Sequence, residues 1–303
     1  MRIRPPLFLL FALGIAGCSG DGAPISAKPV NENASPDVMV KNAVETRTSL
    51  SSLAGKGVMR IVDRPNRFGL TVNADVLADE SDRLRIRADK LAGSIQAFDV
   101  VKLGEDIGLY IPSQNTLYHG KVVDLQSFAF RFDPDEILRQ MLRPDTALLL
   151  RRWRRVQAEP ADGGDVIALE EDVPANRPRL RLVLERRTGR IASLIHLDAK
   201  GDPVLIRTYG DYRDMDMGSG EKRRARGEEP VFPYLISFNW PRDNRLMEMQ
   251  FKTIEGNAII LNEDFDIAAS ANTRYLPLNE ANMESDPVAL AGSVQALAAI
   301  PAY

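Results

Sequence analysis

The chain has 303 residues but only one cysteine and two histidines. A lone cysteine excludes an intramolecular disulfide framework. His119 and His196 have no Cys or His partner at a metal-ligand spacing, which argues against zinc, and neither accompanies a Gly-x-Ser-x-Gly nucleophile motif. Gly218-Ser219-Gly220 is not a phosphate loop, because no strand pattern leads into it and no helix carrying Lys-Ser/Thr follows. With no acid–base or nucleophile constellation, the chain is expected not to be an enzyme. It also lacks an excess of positive charge: 39 Lys and Arg stand against 42 Asp and Glu, a formal net charge of -3. Nucleic acid is therefore not an expected partner. No internal repeat is evident.

What is present begins at the N-terminus. Arg2 and Arg4 precede an apolar run from Leu7 to Ile15, which has the length of a signal-peptide core and is too short to cross a bilayer as a helix. It leads into Ile15-Ala16-Gly17-Cys18, which resembles the bacterial lipobox, where small residues precede a cysteine that is acylated and becomes the first residue. Residues 1–17 then read as a lipoprotein signal peptide. The only group expected on the chain is a covalent diacylglycerol and N-acyl lipid on Cys18. Each buried acyl CH₂ contributes about 0.8 kcal/mol, so several chains hold a protein on a membrane. Ser19 stands where an aspartate would resemble the inner-membrane retention signal of enteric bacteria. The expected location is the periplasmic face of the outer membrane.

Residues 18–35 are rich in Gly, Ala, Pro, Ser and Asn, have no apolar period and read as a flexible tether. Residues 36–53 carry apolar side chains near the helical period and predict a helix ending before Gly55 and Gly57. The period then becomes two. Between Phe68 and Val76 the even positions are apolar, and between Arg83 and Asp89 charged and apolar residues alternate strictly. Arg179 to Glu185 nearly repeats the pattern, and Met247, Met249 and Phe251 alternate with Glu248 and Gln250. Such alternation predicts antiparallel strands with one dry and one wet face. Short turns such as Arg187-Thr188-Gly189-Arg190 separate them.

About ten strands are expected between Lys56 and Ile267, against three helices, at 36–53, 133–142 and 286–299. So few helices cannot roof a flat sheet of that width, and twisted sheets curl. The expected fold is mainly β: a curved antiparallel sheet forming an incomplete, half β-barrel with a helical lid. A filled β-sandwich is the alternative. The expected division is a domain at 36–267, with a polar inserted loop at 211–230, and a C-terminal tail at 268–303 carrying a helix.

The order of these elements resembles the LolA/LolB-like superfamily of periplasmic lipoprotein carriers and outer-membrane lipoprotein receptors. The resemblance is carried by a lipidated N-terminus, a helix, hairpins from Leu53-Ala54-Gly55-Lys56-Gly57, a strand running into Lys90-Leu91-Ala92-Gly93-Ser94, and a helix opening at Asp133-Pro134. It covers roughly residues 37–142, and the lipidated receptor type is the nearer match. The resemblance implies an apolar cavity that binds acyl chains of lipoproteins or lipids, and a periplasmic carrier protein among the partners. It also implies that Leu91, in the matching loop, helps insert cargo into the membrane; packing beneath its hairpin is the alternative.

The residues expected to line the cavity are Phe68, Leu70, Val72, Leu84, Ile86, Ile95, Leu180, Leu182 and Met249, since such surfaces suit flexible apolar ligands. Arg151-Arg152-Trp153-Arg154-Arg155 reads either as an ordinary wet strand face or as a contact with anionic headgroups or a partner. A competing functional reading is a non-catalytic envelope scaffold or assembly factor that grips a protein partner through residues 211–230.

Overall fold

The computed structural model describes residues 29–46, 49–65, 68–90, 95–127, 134–142, 145–159, 162, 164–217 and 231–278. Helix α1 (Pro36–Glu45) starts where Ser35 accepts a hydrogen bond from the Val38 N–H, and Met39, Val40, Ala43 and Val44 form its buried stripe. It is shorter than the 36–53 helix expected. Leu50 and Leu53 fit either period, but Leu53 belongs to a strand, paired with Ala78 on one side and Gly256 on the other. Helix α2 (Pro134–Leu142) lies within the expected span. The expected helix at 286–299 and the loop segment 218–230 fall outside the described residues.

The first six strands are β1 (Ser52–Asp63), β2 (Phe68–Asp79), β3 (Arg83–Lys90), β4 (Gln96–Leu103), β5 (Asp106–Ile111) and β6 (Thr116–Lys121). The next five are β7 (Trp153–Val156), β8 (Val166–Glu171), β9 (Arg179–Glu185), β10 (Ile191–Leu197) and β11 (Pro203–Asp214). The last four are β12 (Asp216–Met217), β13 (Val231–Trp240), β14 (Arg245–Gly256) and β15 (Arg274–Pro277). They form one sheet in the order β15-β6-β5-β4-β3-β2-β1-β14-β13-β11-β10-β9-β8-β7, with β12 added to β14. The expected count of about ten is therefore low. Short strands such as β7 and β12 have too few alternations to register as a period.

Every pairing is antiparallel except β12 with β14 and β15 with β6. The sheet is curved and unclosed, so the expected mainly-β, open-barrel architecture is what the chain adopts. Its two halves meet at β1 and β14, where the register shifts between Lys56 and Gly57. A side chain at Gly57 would stand 2.3 Å from the Gln250 carbonyl oxygen, so this bulge requires glycine. Strand β11 runs into the expected inserted loop as far as Asp214. It accommodates Asp211 at φ +52° between paired neighbours Gly210 and Tyr212, a conformation that Asp tolerates.

One face of the sheet is largely apolar, with Lys102 and Arg207 as buried charged exceptions. Leu84, Ile86, Val72, Met59, Met249, Ile236, Leu194, Leu182 and Leu169 are all buried and share one core with α1 and α2. The opposite face carries the charged alternates. Residues 257–273 lie along that face: Phe265 is buried beneath the Arg83 guanidinium, 4.4 Å from its ring centre, and β15 then joins the edge.

Candidate functional site

The apolar face and its lid form the first candidate. Leu70, Val72, Leu84, Ile86, Leu180, Leu182 and Met249 are buried, so seven of the side chains expected around a cavity come together under the helices. Here they pack against one another and against α1 and α2. Ile95 is largely exposed, just before β4. Phe68 opens β2, but its side chain is not among those described, and Leu91 lies outside the described residues.

The lid is attached by polar groups embedded in this apolar surface. On α2, Glu136 and Gln140 are one turn apart, on the stripe that also carries Ile137 and Met141. The Glu136 carboxylate pairs with Arg207 on β11 at 2.9 Å and accepts from Gln140 Nε2 at 3.0 Å. Gln140 Oε1 in turn accepts from the Tyr209 hydroxyl. Arg207 also lies 3.8 Å from Asp145 and 2.9 Å from the His196 ring. Burial, followed by the positive charge of Arg207, Arg151 and Arg139, lowers the His196 pKa to about 4, so at neutral pH the imidazole is uncharged.

At the helix N-terminus, Asp135 pairs at 2.9 Å with Lys102, a lysine buried on the apolar face of β4, which also reaches Asp82 at 2.6 Å. Few of these residues stood out in the sequence. The available signal was the pair Glu136 and Gln140, polar residues at i and i+4 inside an apolar helix face.

The second candidate is on the opposite face. A groove of about 580 Å³ is lined by Lys56, Asp75, Arg85 and Arg87 from β1–β3, by Lys252 and Glu255 from β14, and by Asp214, Asp216, Tyr234 and Asp264. Its floor is stiffened by Arg85, which pairs with buried Asp99 at 2.6 Å and donates to the Asp264 carbonyl at 2.6 Å. The lining mixes charges of both signs with the apolar side chains of Ala54, Leu77 and Ile254. Among the described residues no group of three or more His, Cys, Asp or Glu side chains is arranged to hold a metal ion.

Trp153 turns inward. It is buried, and its indole N–H donates to the Leu148 carbonyl at 3.0 Å, so it is not an outward membrane contact. Residues 146–150 form a 3-10 turn that leads into β7.

No family model matches the chain, and no curated protein matches it. Solved structures do. A DUF1329 family protein from Desulfovibrio piger aligns at TM-score 0.50 and 13 % identity, over 77 % of this chain and 96 % of that one. A LolA superfamily protein from Nitrosomonas europaea aligns at TM-score 0.44 and 13 % identity, over 77 % and 98 %. A domain described as an outer-membrane lipoprotein-sorting protein, from Vibrio parahaemolyticus, aligns at TM-score 0.48 and 12 % identity, over 76 % and 95 %. The likeness to the DUF1329 family protein is one of fold: at 13 % identity it extends to the path of the sheet and not to any site residue.

Proposed function

We propose that this protein is an envelope lipoprotein held by acyl groups on Cys18 at the periplasmic face of the outer membrane, and that its apolar sheet face receives acyl chains of a lipoprotein or lipid. The observation that carries this reading is the mismatch between sheet and lid. Among the described residues, a largely apolar face spanning most of a curved, open sheet is covered by two helices, of ten and nine residues. Helix α2 is held to that face partly through Glu136, Gln140 and Asp135. Polar attachments can be exchanged for water at modest net cost, whereas the apolar surface they cover gains about 25 cal/mol per Å² wherever an acyl chain replaces water. Displacing α2 would turn a packed interface into a groove for a flexible apolar ligand. In this reading a periplasmic carrier delivers the cargo, Leu91 assists its insertion, and the protein performs no catalysis.

Native mass spectrometry of the purified lipidated chain should reveal a co-purified acyl-bearing molecule that an apolar fluorescent probe displaces. A chain that remains empty and takes up no probe would overturn the proposal. The mixed-charge groove on the other face favours a second reading, a non-catalytic scaffold or assembly factor that binds a protein partner there.

A further inference from the structure

The 3-10 turn at Thr146–Leu150 connects α2 to β7. Leu148 points into the core, and its carbonyl is held by the Trp153 indole. With Leu148 fixed inward, the two residues that follow are turned out: Leu149 is 43 % and Leu150 89 % exposed. Val38, on the first turn of α1, is 45 % exposed. The two elements are joined, since Asp37 accepts from the Trp153 backbone N–H at 2.9 Å and lies 3.5 Å from Arg152. Scattered exposed apolar side chains need no explanation, but three on adjoining elements, two of them presented by a pinned turn, do.

Arginines stand beside them. The Arg152 side chain is 86 % exposed, and Arg155 donates to the Glu32 carbonyl at 3.0 Å. Asp37 and the Glu32 carboxylate, the latter paired with Arg186, make the rim mixed in charge. Arginine stems can lie over apolar surface while their heads stay among polar groups.

The path of the chain fixes what this face meets. Val30 donates to the Arg186 carbonyl, and Glu32 lies against Arg155, so the described chain enters at the far end of the short edge strand β7. From Leu150 to Val156 is at most roughly 20 Å at strand rise. The eleven residues 18–28 add no more than about 38 Å between Pro29 and Cys18. An acyl group on Cys18 would therefore hold this edge of the sheet within the tether's reach of the bilayer.

We infer that Leu149, Leu150 and Val38 form a membrane-docking face that seats at the headgroup boundary of a phospholipid bilayer, with Arg152 and Arg155 at the level of the phosphates. The inference rests on the proposed acylation of Cys18. It orients the body with the β7 edge toward the lipid.

The test uses the full lipidated chain in vesicles of phosphatidylethanolamine and phosphatidylglycerol. With Cys18 blocked by its acyl group, a single new cysteine can carry a polarity-sensitive fluorophore. Leu150→Cys places it on the docking face. Ile259→Cys is the reference, 81 % exposed just after β14, six strands from β7 in the sheet order. Both sites are solvent-facing, so neither substitution threatens the fold.

The label at 150 should shift to the blue and be quenched by nitroxide-bearing lipids, and the label at 259 should do neither. Vesicle-bound protein with equally weak quenching at both sites overturns the docking face and leaves the anchor standing. Protein that bears no acyl group and fails to sediment with vesicles overturns the anchor and the docking face together.

Discussion

The guanidinium of Arg207 meets the carboxylate of Glu136 at 2.9 Å with the two side chains 6 % and 9 % exposed, and so fastens β11 to α2. Removing Glu136 leaves buried Arg207 with Asp145, at 3.8 Å, as its nearest remaining carboxylate. Glu136→Ala should destabilise the protein by roughly 3–5 kcal/mol, and Glu136→Leu combined with Arg207→Met by much less. Urea unfolding of both variants measures the difference. If the single variant is no worse than the double, the pair does not anchor the helix.

The same cluster sets a pH dependence. His196 has its pKa lowered from 6.5 to about 4 in the folded protein, first by burial and then by Arg207 and its neighbours. As pH falls below 6.5 the unfolded chain takes up this proton before the folded one does. The contribution of this site is therefore complete above pH 6.5, and up to roughly 3 kcal/mol is lost as pH falls toward 4. His196→Gln should flatten the stability slope across that interval. An unchanged slope would place the titration elsewhere.

Much of this arrangement was legible in the sequence, because a surface dry on one side imposes period two wherever a strand is long enough. The alternations at Phe68–Val76 and Arg83–Asp89 lie within β2 and β3, facing the way their pattern implies. Helix α2 was equally plain. Legibility failed where one local pattern serves two structures: Leu53 suits a helix or a strand, and pairing with β14, some 200 residues away, decides between them. It failed again for the lid attachments. Nothing local distinguishes Arg207, which is buried against Glu136, from the solvated arginines that alternate along other strands. The crossing of residues 257–273 over the outer face left no periodic trace, since single side chains such as Phe265 are buried there.

Two glycines in adjoining strands should respond oppositely to the same change. A Cβ at Gly57 would meet the Gln250 carbonyl and the Phe251 Cα, both backbone, whereas at Gly69 it would meet nothing within 4 Å. Gly57→Ala should cost about 3 kcal/mol or more through overpacking. Gly69→Ala should be near neutral or slightly stabilising. Thermal unfolding of the pair checks the assignment of the bulge.

Cys18→Ser should abolish incorporation of labelled palmitate and release the protein from membranes, while leaving its unfolding transition where it was. Among the described residues the first helix begins at Pro36, well past Cys18. Equal labelling of wild type and variant would rule out acylation at Cys18.

The parallel pairing of β15 with β6 has a consequence for biogenesis. Residues 274–277 come to rest beside residues 116–119, a closure over more than 150 positions that can form only after the β5–β6 hairpin exists. Such long-range closures are slow to form. Until β15 arrives, β6 presents a row of unpaired backbone groups, a template on which a second chain can add a strand. A chain emerging N-terminus first passes through that interval every time it is made. The vulnerable species is thus a nearly finished protein lacking its last strand, and truncation before Arg274 should make that species permanent, yielding material that polymerises edge to edge.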